Sequence, residues 1–160
     1  MKAKIVDLKQ LGQLSTSRPQ GIKIVATNGC FDILHVGHVR FLQAARSLGD
    51  LLIVGVNGDE STRQLKGPGR PVNSEWDRAE VVAALGSADI VSIFPQLRAT
   101  DFLRAAHPSI YVKGGDYSPE TLNADEAALL KEIGAEIRVI PFEHGYSTTQ
   151  LIDKLCKGHA

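Results

Sequence analysis

Cysteine is scarce in this chain: two among 160 residues, Cys30 and Cys156. They lie too far apart for metal-ligand spacing and are too few for a disulfide framework. A reducing cytoplasm is the expected setting. An excess of one charge is equally lacking. Eighteen Lys and Arg balance eighteen Asp and Glu, so whole-molecule attraction to nucleic acid or to a membrane surface is not indicated. Any anion site must be built locally. No stretch approaches the roughly 18 consecutive apolar residues that a membrane helix needs. The opening Met1-Lys2-Ala3-Lys4-Ile5 has no apolar run behind it, so no secretory leader is expected. Internal repeats, low-complexity tracts and interdomain linkers are also missing.

What is present is ordinary for a globular chain, 43% hydrophobic and 22% charged. Its length fits one domain, 1–160, able to bury roughly two-thirds of the unfolded surface. Short apolar runs alternate with helical patterns. Strands are predicted at 22–28, 50–57, 89–94, 109–115 and 135–142. Helices are predicted at 39–49, 74–86, 100–107, 124–134 and 147–157. This alternation implies βαβ units, and Leu51-Leu52-Ile53-Val54 suits a strand covered on both faces. The expectation is an α/β fold: an open parallel five-stranded sheet with helices on both faces. Residues 1–20 read as a helical extension packed on the outside. Residues 58–73, "GDESTRQLKGPGRPVN", are long and polar for a connection, and connections of that length are often functional.

In such a sheet ligands bind beyond the carboxyl ends of the strands. Those ends are Asn28-Gly29-Cys30, Asn57-Gly58-Asp59, Phe94-Pro95, Lys113-Gly114-Gly115-Asp116 and Phe142-Glu143-His144. All but the third are polar or carry glycine. After the first comes "GCFDILHVGH". Gly29 allows a sharp turn and close approach of a ligand. The helix that follows directs free N–H groups and a positive dipole end at the same place. His35 and His38 are three residues apart, neighbours on one helical turn. Gly37 between them removes a side chain where something must pass.

That decapeptide resembles the HxGH signature of the nucleotidyltransferase superfamily that includes the cytidylyltransferases. "LIVGVNGDESTRQLKGPGRPVN", "IYVKGGDY" and "FEHGYSTTQLI" look like successive blocks of the heptose 1-phosphate adenylyltransferases, a match spanning about residues 22–155. The resemblance implies a Rossmann-like fold. It also implies transfer of AMP from ATP to a heptose 1-phosphate, with attack on the α-phosphate and release of pyrophosphate. Such enzymes make nucleotide-activated heptose for bacterial surface polysaccharide. A homodimer is implied too. Because those enzymes are often fused to a sugar kinase domain, a separate kinase is expected upstream.

The chemistry accounts for the residue types. In nucleotidyl transfer a protein mostly positions groups and stabilises charge. A sugar phosphate is already an anionic nucleophile near neutral pH, its second pKa being about 6. His35 and His38 are therefore assigned as donors to phosphate oxygens rather than as bases. Asn28, Gly29, Cys30, Phe31 and Gly37 form the surrounding phosphate loop, with Cys30 a small side chain rather than a nucleophile. Asp32 is read as structural, orienting the loop or a histidine. The resemblance makes Lys66 the residue that grips the triphosphate and the substrate phosphate. Arg70 is a second clamp, since its planar fork suits phosphate. Lys113, Gly114, Gly115 and Asp116 are placed by resemblance on the nucleotide side. Ser147-Thr148-Thr149-Gln150 fits a capping box, and the family's Ser/Thr run there binds triphosphate oxygens. Mg²⁺ is expected to bridge those oxygens, because it usually keeps waters and substrate phosphates as ligands.

One departure matters. Related cytidylyltransferases carry an arginine-bearing block where this chain has "FEHGYSTT", with His144 and Tyr146. A second reading, transfer of CMP to glycerol 3-phosphate or another small alcohol phosphate, is weakened by it. A third reading, from a different class, is a nucleotide-binding module without turnover.

Overall fold

Short β-branched runs such as Ile24-Val25-Ala26-Thr27 and Leu52-Ile53-Val54 cannot complete a stable helix, but they suit a strand buried on both faces. In the computed structural model, which describes residues 4–115, 118, 121–141 and 145–158, they become the centre of a parallel sheet. The strands are β1 (Lys4–Val6), β2 (Ile24–Gly29), β3 (Leu51–Asn57), β4 (Ile90–Phe94), β5 (Ile110–Gly114) and β6 (Glu136–Ile140). The helices are α1 (Leu8–Thr16), α2 (Val36–Arg46), α3 (Asp59–Lys66), α4 (Glu75–Ala83), α5 (Thr100–Ala106), α6 (Ala124–Glu132) and α7 (Thr148–Lys157).

Strand order is β1-β4-β3-β2-β5-β6. From β2 the chain steps outward to β3 and β4, then crosses back to place β5 on the other side of β2. That reversal leaves a crevice at the carboxyl ends of β2 and β5. The period of two along each strand divides the core. Val25, Val54, Val91 and Val112 pack on one face against Leu42 and Ala45 of α2 and Val82 of α4. Ile24, Ala26 and Ile53 pack on the other against Leu11 of α1, Phe102 and Leu103 of α5, and Leu130 of α6. Each of the larger side chains among these, fully buried, contributes about 1.5–3 kcal/mol. Gly55 is needed in β3 because a Cβ there would stand 2.9 Å from the Phe102 ring.

The parallel sheet with helices on both faces is as expected, but it has six strands among the described residues rather than five. The additional one, β1, pairs with β4 through Lys4↔Ile90 to Val6↔Ser92. Three residues are too short to show alternation; the open edge of β4 is what makes them a strand. Asp7 then ends β1 and starts α1 with a capping box: its carboxylate accepts from Gln10 N–H at 2.7 Å, and Gln10 Oε1 accepts from Asp7 N–H at 3.1 Å. Helix α1 packs outside, as anticipated. The polar stretch 58–73 differs too, since half of it is α3. Its buried residues are Ser61 and Thr62, so it carries no apolar periodicity to read. It stops at Gly67, whose φ of +94° suits a residue without Cβ.

Candidate functional site

The turn after β2 reverses in very little space. Phe31 takes a left-handed φ of 48° and is nevertheless buried. Its ring lies where a side chain at residue 29 would go, 3.1 Å from an added Cβ. The ring also stands 5.6 Å from that of His38. His35 is the N-cap of α2 and His38 its third residue. His38 Nδ1 accepts the His35 backbone N–H at 3.3 Å. That bond sets the tautomer: with Nδ1 accepting, the neutral ring carries its proton on Nε2. The two imidazoles lie 3.9 Å apart between centroids. Burial, then the positive charge of His35 and of Lys66, pushes the His38 pKa down to about 4. Burial also lowers that of His35. Both are neutral donors near pH 7. Gly37 fits between His35 and Tyr146, since a Cβ would lie 3.0 Å from the His35 ring and 3.1 Å from Tyr146 Cβ.

A second helix begins beside the first. Ser147 caps α7 by accepting Gln150 N–H at 3.1 Å. Thr148 Oγ1 donates to Ile33 O at 3.3 Å, tying α7 to the turn before α2. Two helix N-termini, each with free N–H groups and a positive dipole end, thus open on one space.

The segment after α3 closes a third side. Asp32, 4% exposed, receives Arg70 Nε at 2.6 Å and the backbone N–H groups of Val72 and Asn73 at 2.9 and 3.0 Å. Burial alone would raise its carboxyl pKa. The N–H groups of Asn73 and Val72 and the guanidinium of Arg70 outweigh that and hold it below the usual carboxylate range. The bonds of Asp32 thus go to this arm, at Arg70, Val72 and Asn73. Arg78, wholly buried in α4, braces the same arm. Its guanidinium donates to Asn73 O at 3.0 Å, to Asp59 Oδ1 at 2.9 Å and to the Cys30 carbonyl.

Together these segments enclose a cleft of about 430 Å³. It brings together Asn28, Gly29, Cys30, Phe31, His35, Gly37, His38, Lys66, Arg70, Gly114, Ser147, Thr148 and Thr149. Lys113 and Gly115 are not in the lining. Lys113 instead turns its ammonium to Asn28 Oδ1, at 3.4 Å, and over the Tyr111 ring. Asp116, and the strand end Phe142-Glu143-His144, lie outside the described residues. Sequence reasoning overlooked Arg40 and Phe41, which line the cleft from α2. They lie three and four residues after Gly37, a helical spacing that could have found them. Arg40 also stands 5.8 Å from the centre of the Tyr146 ring. Among the described residues there is no cluster of three His, Cys, Asp or Glu able to hold a metal ion. Asp32, the carboxylate in the lining among the described residues, is already engaged by Arg70 and the arm. The donor set suits a phosphorylated ligand: neutral imidazoles, backbone N–H groups and the cations Arg40, Lys66 and Arg70.

Residues 26–154 match the cytidylyltransferase-like family model. The chain is 46% identical over 142 residues to the "Bifunctional protein HldE" of Trichlorobacter lovleyi, covering 89% of this chain and 28% of that protein. It is 43% identical over 157 residues to the protein of the same name from Geotalea uraniireducens, covering 98% and 32%. The chain therefore spans less than a third of the length of these relatives. Among solved structures, a lipopolysaccharide core biosynthesis protein from Thermoplasma volcanium superposes with a TM-score of 0.62 at 26% identity, over 77% of this chain and 98% of that one. A pantoate-beta-alanine ligase from Francisella tularensis, at 17% identity and a TM-score of 0.60 over 89% and 68%, shares the fold.

Proposed function

Because the chain belongs to the cytidylyltransferase-like family, we propose that it is a nucleotidyltransferase moving AMP from ATP to a heptose 1-phosphate. The observation that carries this is the pair of neutral histidines at the start of α2, with His38 Nε2 left as donor by its Nδ1 bond. An oxygen of the sugar phosphate forms a new bond to the α-phosphorus. The bond from that phosphorus to the bridging oxygen breaks, and the electron pair leaves with pyrophosphate. The products are ADP-heptose and pyrophosphate. The nucleophile is ionised already, so no protein base is required. His35 and His38 donate to oxygens whose charge grows as pyrophosphate departs. Lys66 and Arg70 clamp phosphates from the arm, and the N-terminus of α7 at Ser147, Thr148 and Thr149 receives the triphosphate tail. Mg²⁺, counted as part of the ATP substrate, would neutralise charge on the departing pyrophosphate. The heptose assignment is supported by the "KGGDY" and "STT" blocks and by likeness to a lipopolysaccharide core biosynthesis protein.

The working unit we propose is residues 22–155 within one domain, against the matched 26–154. An upstream sugar-kinase reaction supplies the acceptor, and the setting is the cytoplasm, where ATP is available. Among the described residues no helix is long and apolar enough to cross a membrane. A homodimer, implied by the family resemblance, is part of the same proposal. The deciding experiment measures pyrophosphate release with four nucleoside triphosphates against a panel of sugar and polyol phosphates. ATP with a heptose 1-phosphate should give the fastest turnover. CTP with glycerol 3-phosphate would replace this reading, and no release with any pair would favour a binding module.

A further inference from the structure

At the carboxyl end of β2, beside the crossing to β5, sits an amide whose orientation is dictated from behind. The side-chain oxygen and nitrogen of an asparagine are told apart by their partners. Asn28 has two. The Tyr111 hydroxyl stands 2.5 Å from Oδ1 and the Lys113 ammonium 3.4 Å from it. A hydroxyl can donate or accept, but an ammonium only donates. The atom facing Lys113 must therefore be oxygen, which leaves Nδ2 as the other end of the amide in a residue that lines the cleft. Among the described residues no protein acceptor meets Nδ2. The brace is itself well fixed. Tyr111 is fully buried in β5, and Lys113 Nζ lies 5.0 Å from the centre of its ring, a cation–π distance. Two donors on Oδ1 also polarise the amide and strengthen its N–H groups as donors.

We propose that Tyr111 and Lys113 are positioning residues which lock the Asn28 amide so that Nδ2 donates to a phosphoryl oxygen of a bound substrate. This rests on the reading of the cleft as a nucleotidyl-transfer site. The oxygen belongs either to the nucleotide or to the sugar phosphate; the chemistry is shared, and the measurements separate the two. Asparagine is specified at residue 28 because aspartate would satisfy Tyr111 and Lys113 equally well while turning an oxygen toward the phosphate.

The test compares wild type with Asn28→Asp, Asn28→Ala, Tyr111→Phe and the Tyr111→Phe/Asn28→Ala double variant. Melting and circular dichroism establish folding. Calorimetry gives ATP and pyrophosphate affinity, and steady-state kinetics give kcat and KM for each substrate. Asn28→Asp should weaken one phosphate ligand by at least about tenfold, the scale of a hydrogen bond to a charged group. A raised ATP dissociation constant assigns the oxygen to the nucleotide; a raised KM for the sugar phosphate alone assigns it to the acceptor. Tyr111→Phe should weaken the same ligand by about three- to tenfold in the wild-type background and have no effect once Asn28 is alanine. Equal losses in both backgrounds, or wild-type behaviour of Asn28→Asp toward both substrates, would overturn the proposal. Should Tyr111→Phe fail to fold, Lys113→Met takes its place in the same cycle. If wild type turns over no substrate pair, the adenylyltransferase reading fails, and the cycle is judged on ATP and pyrophosphate binding alone.

Discussion

Replacing Asp32 by asparagine is a near-isosteric change that should loosen the arm carrying Lys66 and Arg70. The carboxylate side chain is 1% exposed and that of its Arg70 partner 17%. It accepts from Arg70 Nε and from two backbone N–H groups, of Val72 and Asn73. Deleting one member of a buried ion pair typically costs about 3–5 kcal/mol. Asparagine keeps one acceptor oxygen and Arg70 is partly hydrated, so the expected loss is about 2–3 kcal/mol. At roughly 2–4 °C per kcal/mol for a chain of this size, the melting temperature should fall by roughly 4–12 °C. The wild-type contribution also has a pH signature. The carboxyl is held below its ordinary value of 3.8, so its stabilisation is complete above that value and is lost as pH falls through the lower folded one. Asp32→Asn should lack this acid loss. Affinity for ATP should drop as well, because Arg70 is no longer held against the cleft. Thermal melts across pH 2–7 and calorimetric titration read both effects. A melting temperature within about 1 °C of wild type, with unchanged affinity, would refute the claim that this carboxylate holds the arm.

His38→Ala should lower kcat at least about 100-fold in a folded protein, the usual cost of one well-placed oxyanion donor; pyrophosphate-release kinetics check it. Lys66, exposed at the end of α3, should be replaceable by alanine within about ±0.5 kcal/mol of stability, while triphosphate affinity falls sharply. A large melting shift with normal kinetics would make Lys66 structural instead. Gly37→Ala should reduce turnover through displacement of His35, since the new methyl carbon would stand 3.0 Å from that ring; unchanged kinetics would show that the packing yields. His38 is held neutral by burial, with its pKa near 4 against an ordinary 6.5. The unfolded chain therefore binds the extra proton first, and stability should decline as pH falls from 6.5 toward 4. His38→Gln should flatten that decline, as followed by denaturant titration at each pH.

The parts of the molecule legible in the sequence are those where a local pattern and the global fold agree. Strands β2 to β6 announce themselves by short apolar runs, and the phosphate loop by its place between one such run and a helical pattern. What was missed depends on distant partners. β1 is a strand because β4 presents an open edge. α3 has Ser61 and Thr62 on its buried face, so its helicity leaves no apolar stripe. Arg78 falls among Ala79 and Val82 on the inward face of α4, where a pattern alone expects an apolar residue. Its acceptors explain it: the Cys30 carbonyl, 48 residues away, and Asp59, 19 away. Lys113 is placed on the nucleotide side by resemblance alone; no local pattern shows that its ammonium turns to Asn28 Oδ1. The reading of Lys66 rests on family resemblance alone, since a solvated loop would have had the same composition, whereas that of Arg70 rests on the fit of its planar fork to phosphate.

A chain of zero net charge can bind a polyanion only if the favourable charge is local and partly latent. Two helix N-termini supply partial charge without titrating, and the Thr148–Ile33 bond keeps them together. Lys66 and Arg70 supply full charge from the arm, which Asp32 and Arg78 hold in place. The histidines supply the latent part. In the free protein burial keeps them neutral, so they add no desolvated cation when the cleft is empty. On the function proposed above, an arriving triphosphate brings negative charge beside them and raises their pKa values. Nucleotide binding below neutral pH should therefore take up protons. Calorimetry in buffers of different ionisation enthalpy measures that uptake directly. It should shrink in His38→Gln, which keeps an N–H donor but cannot titrate. Uptake of the same size in that variant would place the titrating group elsewhere, on His35 or on the phosphate itself, and would remove His38 from the latent charge.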